Sequence, residues 1–350
     1  MNRLSSVDRN FSAGIARDGM MYTDVKAMPE LICGLLLENG EWMRLPQKVA
    51  EAANPQVQAL YRATAGGRLR FRTDSRTVSL RFCLGEVFAS ANLTNLAAAG
   101  FDVYERKEGS WQFCGAVPPG DILDKEAEGS FSFSGEGVHE VLIHFPLYAK
   151  VKELWLGVEE GSFLCPAPYR GGSFVIYGSS ITQGGCASRP GNAFASIVSR
   201  WLDMDYRNVG FSAGAKGEPL MADHLAELPC DAMVIDYDHN APNAAYLNET
   251  HEPFYRRIRA ARPDLPVVFM SAPRIRLDEE WEKRRDIVRK TYENALERGE
   301  RVRFVDGSAV FPGAWREECM GDQYHPGDLG MTAMADGLAR ALKEACAAGK

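Results

Sequence analysis

The stretch IYGSSITQGG, residues 176–185, follows an apolar run, precedes a helical pattern, and carries two adjacent serines. Read as a strand-to-helix corner, it presents Ser180 just beyond the carboxyl end of a strand. Read as a polar turn it carries no chemistry, because Ser and Gly populate turns for conformational reasons alone. The sequence downstream supplies the context. SFVIY (173–177) has the pattern of a short apolar strand, and Phe194, Ile197, Val198, Trp201 and Leu202 then recur at helical spacing. Next come YRNVGF (206–211), a helix near 218–228, AMVIDYD (232–238) and a helix near 250–261. PVVFM (266–270), a long helix near 279–298, VRFVD (302–306) and a last helix near 328–346 complete the series. Five apolar strands alternating with helices predict an α/β unit, a parallel sheet covered on both faces.

Upstream the rhythm differs. RLRFR (68–72), VSLRF (78–82), FDVYE (101–105), WQF (111–113) and VLIHF (141–145) alternate with period two, as half-buried strands do. RKEGS (106–110) reads as a hairpin loop. Short strands without a long helical pattern predict a β-sandwich of the jelly-roll kind. CPAPYRGG (165–172) is the Pro/Gly-rich break between the two regimes. The expected organisation is a polar lead-in over 1–28, a β-sandwich domain over 29–165 and the α/β domain over 172–350.

Bulk properties narrow the partners. Apolar residues at 45% and charged residues at 25% fit a soluble globular chain. A net charge of −7 disfavours nucleic-acid and anionic-membrane surfaces, which need clustered Lys and Arg. The eight cysteines are scattered without a C-x-x-C pair, so reduced thiols and a cytoplasmic location are expected. The six histidines lack H-x-H or H-E-x-x-H spacing, and no metal or other cofactor is expected.

In sheets of this class ligands bind beyond the carboxyl ends of the strands. Polar residues gather there. Ser180 follows the first strand, NVGFSAGAKG (208–217) runs past the second, DHNAPN (238–243) follows the third with Asn240, and DQYHP (322–326) precedes the last helix. Three positions apart in a turn, Asp322 can hold Nδ1–H of His325 and leave Nε2 to take a proton from a serine. Each piece has a plainer reading: Asp322 as a helix cap, Asn240 as an Asx-turn residue, FSAGAKG as a loop. His224, His239 and His251 read as surface or satisfied histidines.

These residues resemble the SGNH or GDSL-type hydrolases over roughly 173–346, a three-layer α/β/α, flavodoxin-like esterase fold. YGSSITQG matches the nucleophile block, which implies that role for Ser180. NVGFSAG matches the second block, implying an oxyanion N–H at Ala213 or Gly214, and DHN matches the third, implying Asn240 as another donor. DQYHPGDLG matches the acid–base block and implies Asp322 and His325. AGGRLRFRTDS and FPLYAKVKELWLGV resemble the β-sandwich that precedes this domain in a carbohydrate-esterase subgroup. The family's Asp before the nucleophile is Ser179 here. The implied function is a serine esterase removing small acyl groups, above all acetyl, from a small-molecule or oligosaccharide ester. A lipid acylhydrolase or thioesterase, and a non-catalytic saccharide-binding protein, are the alternatives. Trp111, Tyr104 and Trp155 are expected in the sandwich core or on a sugar-stacking wall.

Overall fold

The computed structural model describes residues 14–17, 19–119 and 125–347. Its α/β part is a five-stranded, all-parallel sheet of Ser173–Gly178, Asp205–Gly210, Ala232–Asp236, Val267–Met270 and Val302–Val305. The spatial order is second, first, third, fourth, fifth, so the first two crossovers diverge and open a crevice beside the first strand. The inner strands Ser173–Gly178, Ala232–Asp236 and Val267–Met270 are apolar through their middles because helices cover both faces, while the edge strands carry Arg207 and Arg303. Ile176, Val234, Val268 and Val209 are fully buried. The covering helices are Phe194–Leu202, Pro219–Glu227, Ala244–Ala261, Glu279–Glu297 and Asp328–Ala347. The fourth of these starts from an Asp278 cap whose carboxylate accepts Trp281 N–H at 3.0 Å. Ala244–Ala261 begins six residues before the expected helix, because Asn243 caps it through Tyr246 N–H at 2.8 Å.

The N-terminal part is two antiparallel sheets. One orders Gly14–Arg17, Met20–Asp24, Ala149–Glu159, Thr77–Val87 and Glu126–Ser132. The other is built on Arg68–Thr73, His139–His144, Phe101–Lys107 and Ser110–Val117. Phe82 of the first meets Phe101 of the second with ring centroids 4.7 Å apart, as facing layers of a sandwich do. The RKEGS hairpin turns on Glu108 and Gly109, whose φ of 50° and 82° give the twist that suits a two-residue loop. Residues 1–28, expected as a lead-in, contribute more than that. Met20–Asp24 pairs with Ala149–Glu159 and Val25 is fully buried, while 1–13 lie outside the described residues.

The division between the parts is also less clean than period alone suggests. Gln47–Ala52 and Pro55–Leu60 are short helices, and Met43, Leu45, Val57 and Leu60 belong to the same apolar cluster as Val209 and Phe211 of the α/β part. Arg44 is buried there, stacking 4.1 Å over Phe211 and donating to the carbonyls of Gly210 and Leu60. Charged pairs tie the remaining interface: Arg68 to Asp205, Arg70 to Asp203 at 2.6 Å, and Arg189 to the fully buried Asp102 at 2.9 Å. All eight cysteines are free.

Candidate active site

Gly178 ends the first strand where a Cβ would lie 2.5 Å from Asp236 carbonyl oxygen, so the chain turns in space only Gly can occupy. Ser179 follows as the cap of the short helix Ser180–Gln183, its Oγ accepting Ile181 N–H at 3.2 Å. The hydroxyl thus braces the turn. It leaves Ser180 at the first helical position, facing out of the sheet.

Ser180 Oγ lies 2.9 Å from His325 Nε2. His325 Nδ1 is 2.9 Å from Asp322 Oδ2 and 3.1 Å from Oδ1. Asp322 Oδ1 also accepts the N–H groups of Tyr324 and His325, both at 2.7 Å, so one carboxylate closes the turn and holds the ring. Gly321 N–H donates to His325 carbonyl at 2.8 Å and locks the same loop. Burial disfavours the Asp322 anion, but the donors from Tyr324, Asn92 and His325 outweigh it and hold its carboxyl well below the ordinary range. The acid therefore stays ionised.

The oxyanion candidates separate. Gly214 N–H donates to Phe211 carbonyl at 2.9 Å, and Gly214 does not line the cleft, so its N–H is spent within the turn. Ala213 lines the cleft and, among the described residues, its N–H has no acceptor. Its φ of 57° is left-handed, a conformation that costs an L-residue roughly 1–2 kcal/mol. Asn240 also lines the cleft. Its Nδ2 donates one hydrogen to Phe211 carbonyl at 2.9 Å, which leaves the second for a ligand.

The cleft holds about 670 Å³ and draws half its walls from the N-terminal part: Gln56, Leu60, Phe88, Asn92, Leu93 and Tyr148. Asn92 Nδ2 reaches Asp322 Oδ2 at 2.5 Å. Tyr148 Oη lies 3.0 Å from Ser212 Oγ, next to Ala213 in the same loop. Asn54 Nδ2 donates to Gly214 carbonyl at 2.8 Å and supports that loop from behind. None of these side chains carries a sequence signal, since each acts across a long-range contact.

One expectation is revised and another is narrowed to one of its two alternatives. His239, read as a surface or satisfied histidine, borders the cleft with its ring centroid 6.1 Å from that of His325. Burial, then the nearby His325 and Arg274, push its pKa down to about 3, so it is a neutral imidazole. Trp111, Tyr104 and Trp155 are not on the cleft. Trp111 lies against Arg70 and Arg106, and Tyr104 is buried beneath Arg189 and Arg200. The rings that line the cleft are Phe88, Tyr148, Trp281 and Tyr324.

Comparison with known proteins fits this geometry. Residues 172–343 match the model of the GDSL-like lipase/acylhydrolase family, and residues 20–164 match that of the N-terminus of SGNH-hydrolase-type esterases. No curated protein matches the chain. Among solved structures, a candidate GDSL-like lipase from Bacteroides ovatus is 26% identical with a TM-score of 0.82, over 93% of this chain and 98% of that one. The salicylyl-acyltransferase SsfX3 of a tetracycline biosynthetic pathway is 21% identical with a TM-score of 0.71, over 94% and 96%. An acetyl xylan esterase from the rumen bacterium Butyrivibrio proteoclasticus is 14% identical with a TM-score of 0.57, over 95% and 100%.

Proposed function

The chain belongs to the SGNH/GDSL-type hydrolases, and from that premise we propose that it is a serine esterase acting on small acyl esters, acetyl above all, of a saccharide. The observation that carries this reading is the unbroken relay from Ser180 Oγ through His325 to Asp322. Asp322 accepts Nδ1–H and so keeps Nε2 unprotonated and aimed at the serine. Ser180 loses its proton to Nε2 as Oγ attacks the ester carbonyl. The tetrahedral oxyanion is met by the N–H groups of Ser180 and Ala213 and by the free Nδ2–H of Asn240. One such donor lowers the barrier by about 3–4 kcal/mol. His325 returns the proton to the departing alcohol oxygen, and water then repeats the sequence on the acyl-serine, releasing the acid. The reaction draws on these side chains, the two backbone N–H groups and water.

The saccharide assignment is supported by the flat rings of Trp281 and Tyr324 beside polar Gln56, Asn92 and Asn240, and by the acetyl xylan esterase among proteins of this fold. A second reading, a larger apolar acyl group, is favoured by Leu60, Phe88 and Leu93 on the facing wall. The deciding experiment is inactivation by a serine-directed phosphonate, followed by peptide mapping. One label on Ser180 and complete loss of acetyl esterase activity are expected. A label elsewhere, or an enzyme that stays unlabelled and still hydrolyses p-nitrophenyl acetate after the treatment, refutes the assignment.

A further inference from the structure

Cys186, Asp322 and His325 place one ligand atom each within 4.8 Å of one another, and all three side chains are partly buried. Cys186 Sγ is 3.5 Å from Asp322 Oδ2, which is itself 2.9 Å from His325 Nδ1. A thiolate, a carboxylate and an imidazole bound to one zinc-class ion at about 2.0–2.3 Å leave their ligand atoms roughly 3.3–3.8 Å apart. The sulfur–oxygen pair already has that spacing. The nitrogen–oxygen pair has only a few tenths of an ångström to open.

The three donors are also held in place without an ion. Asn92 fixes Asp322 Oδ2, and Tyr324 N–H fixes Oδ1. Asn92 carbonyl accepts from Cys186 Sγ at 3.3 Å, so the same loop orients the thiol. Cys186 itself adopts φ 67°, three residues beyond the helix Ser180–Gln183.

We propose that Cys186, Asp322 and His325 Nδ1 form an inhibitory site for a thiophilic divalent cation of the zinc class, occupied only when the catalytic relay is broken. The proposal rests on the reading of His325 as the base. A thiolate and an imidazole select zinc or cadmium over magnesium and calcium, which prefer oxygen. Three protein ligands leave a fourth position for water.

The inhibition follows from proton placement. On binding, the Cys186 thiol releases its proton to solvent. The neutral imidazole gives its Nδ1 lone pair to the ion, so its one proton moves to Nε2. In that tautomer Nε2–H donates to Ser180 Oγ and has no lone pair to accept the serine's proton. Asp322 is drawn to the ion and no longer orients the ring. No redox change is involved, and removal of the ion restores every group. Because the ion takes an atom the relay requires, it opposes this chemistry instead of assisting it.

The test uses the full chain, stripped with EDTA and assayed on p-nitrophenyl acetate in a weakly coordinating buffer. Micromolar zinc should remove most of the activity, EDTA should restore it, and equal magnesium or calcium should have no effect. Cys186→Ser, scored against its own metal-free rate, should need at least about tenfold more zinc for the same fractional loss, as expected when one of three ligands is weakened. A second readout does not depend on catalysis. Ser180→Ala titrated with cadmium should develop the ultraviolet thiolate-to-cadmium band to one equivalent, and Ser180→Ala with Cys186→Ser should lack that equivalent. Equal zinc sensitivity of Cys186→Ser and the parent, or the same cadmium band in both titrated proteins, overturns the site. A cadmium band lost with Cys186, in a chain whose parent hydrolyses no ester, upholds the site and defeats the esterase reading.

Discussion

The parallel sheet delivers Ser180, Ala213 and Asn240 from just beyond the carboxyl ends of three neighbouring strands, whereas the antiparallel half delivers Gln56, Phe88, Asn92 and Tyr148 from one short helix and two loops. The first group shares a position dictated by topology, because every strand of a parallel sheet ends on the same side. The second group shares none. Its members reach the cleft only because a particular sandwich is docked at a particular angle. On the proposed reading, the contrast separates groups that react from groups that hold the reacting groups in place.

The comparison breaks first if the α/β part can stand alone. Phe174, Ile176, Phe194 and Tyr206 lie in the same buried cluster as Phe145, Leu147 and Tyr148 of the other half. Gln183, in the helix that Ser180 opens, donates to Leu147 carbonyl at 3.1 Å. A fragment of residues 172–350 would expose that apolar surface at about 25 cal/mol per Å². It is expected to be insoluble or to lack a cooperative thermal transition by calorimetry. A soluble fragment with a sharp transition would make the sandwich an accessory.

Within the reacting group the largest effect is at the nucleophile. Ser180→Ala should lower kcat by roughly 10⁴–10⁶-fold. Ser179→Ala should remain an active enzyme, losing about 1 kcal/mol of stability with its helix cap. Steady-state kinetics with thermal melts distinguishes the two. Equal activity losses in two folded variants would dissolve the distinction between reacting and bracing serine.

How much of this is legible in the sequence follows the same division. Ser180, Asp322 and His325 sit in short local patterns whose chemistry depends on spacings of a few residues, and the strand-end rule places them on one face. Ala213 and Gly214 are adjacent, and only the turn geometry tells which N–H is spent on Phe211. His239 is next to Asn240 in the chain, yet its burial against Trp281 is a tertiary fact. Asn92 and Cys186 lie 230 and 136 residues from Asp322, so no spacing rule can link them to it. The segment 43–61 falls inside the expected β-sandwich domain because six-residue helices are too short to show a helical period.

Asn92 tests whether the holding group matters to catalysis. Asn92→Ala should reduce kcat by roughly 10–100-fold by loosening Asp322 and, through it, the imidazole. The stability effect has a definite sign. Asp322 is held below the ordinary carboxyl value of about 3.9, so its stabilisation is fully present above that pH and is lost as pH falls toward the lower folded value. Removing Asn92 raises the folded value. Unfolding free energies of variant and parent from urea titrations should therefore differ by about 1 kcal/mol at pH 7 and converge in acid. A gap that widens in acid would mean that Asn92 acts on some other group.

The smallest effect expected concerns which wall receives the acyl group. A cleft of about 670 Å³ is far larger than an acetyl group, so most of it is available to the alcohol side of the ester. On the saccharide reading, the pocket next to Ala213 and Asn240 admits a short acyl chain while the sugar lies along the aromatic rings. Discrimination against longer chains is then modest, because a methylene in a hydrophobic pocket changes the barrier by about 1–3 kcal/mol at most. We expect kcat/KM to fall from acetyl to butyryl to octanoyl esters by at least about tenfold overall, and acetylated oligosaccharides to outperform their monosaccharides. The opposite order would mean that Leu60, Phe88 and Leu93 seat the acyl chain. The sandwich would then select substrate as well as hold the acid, and the lipid reading would replace the saccharide one.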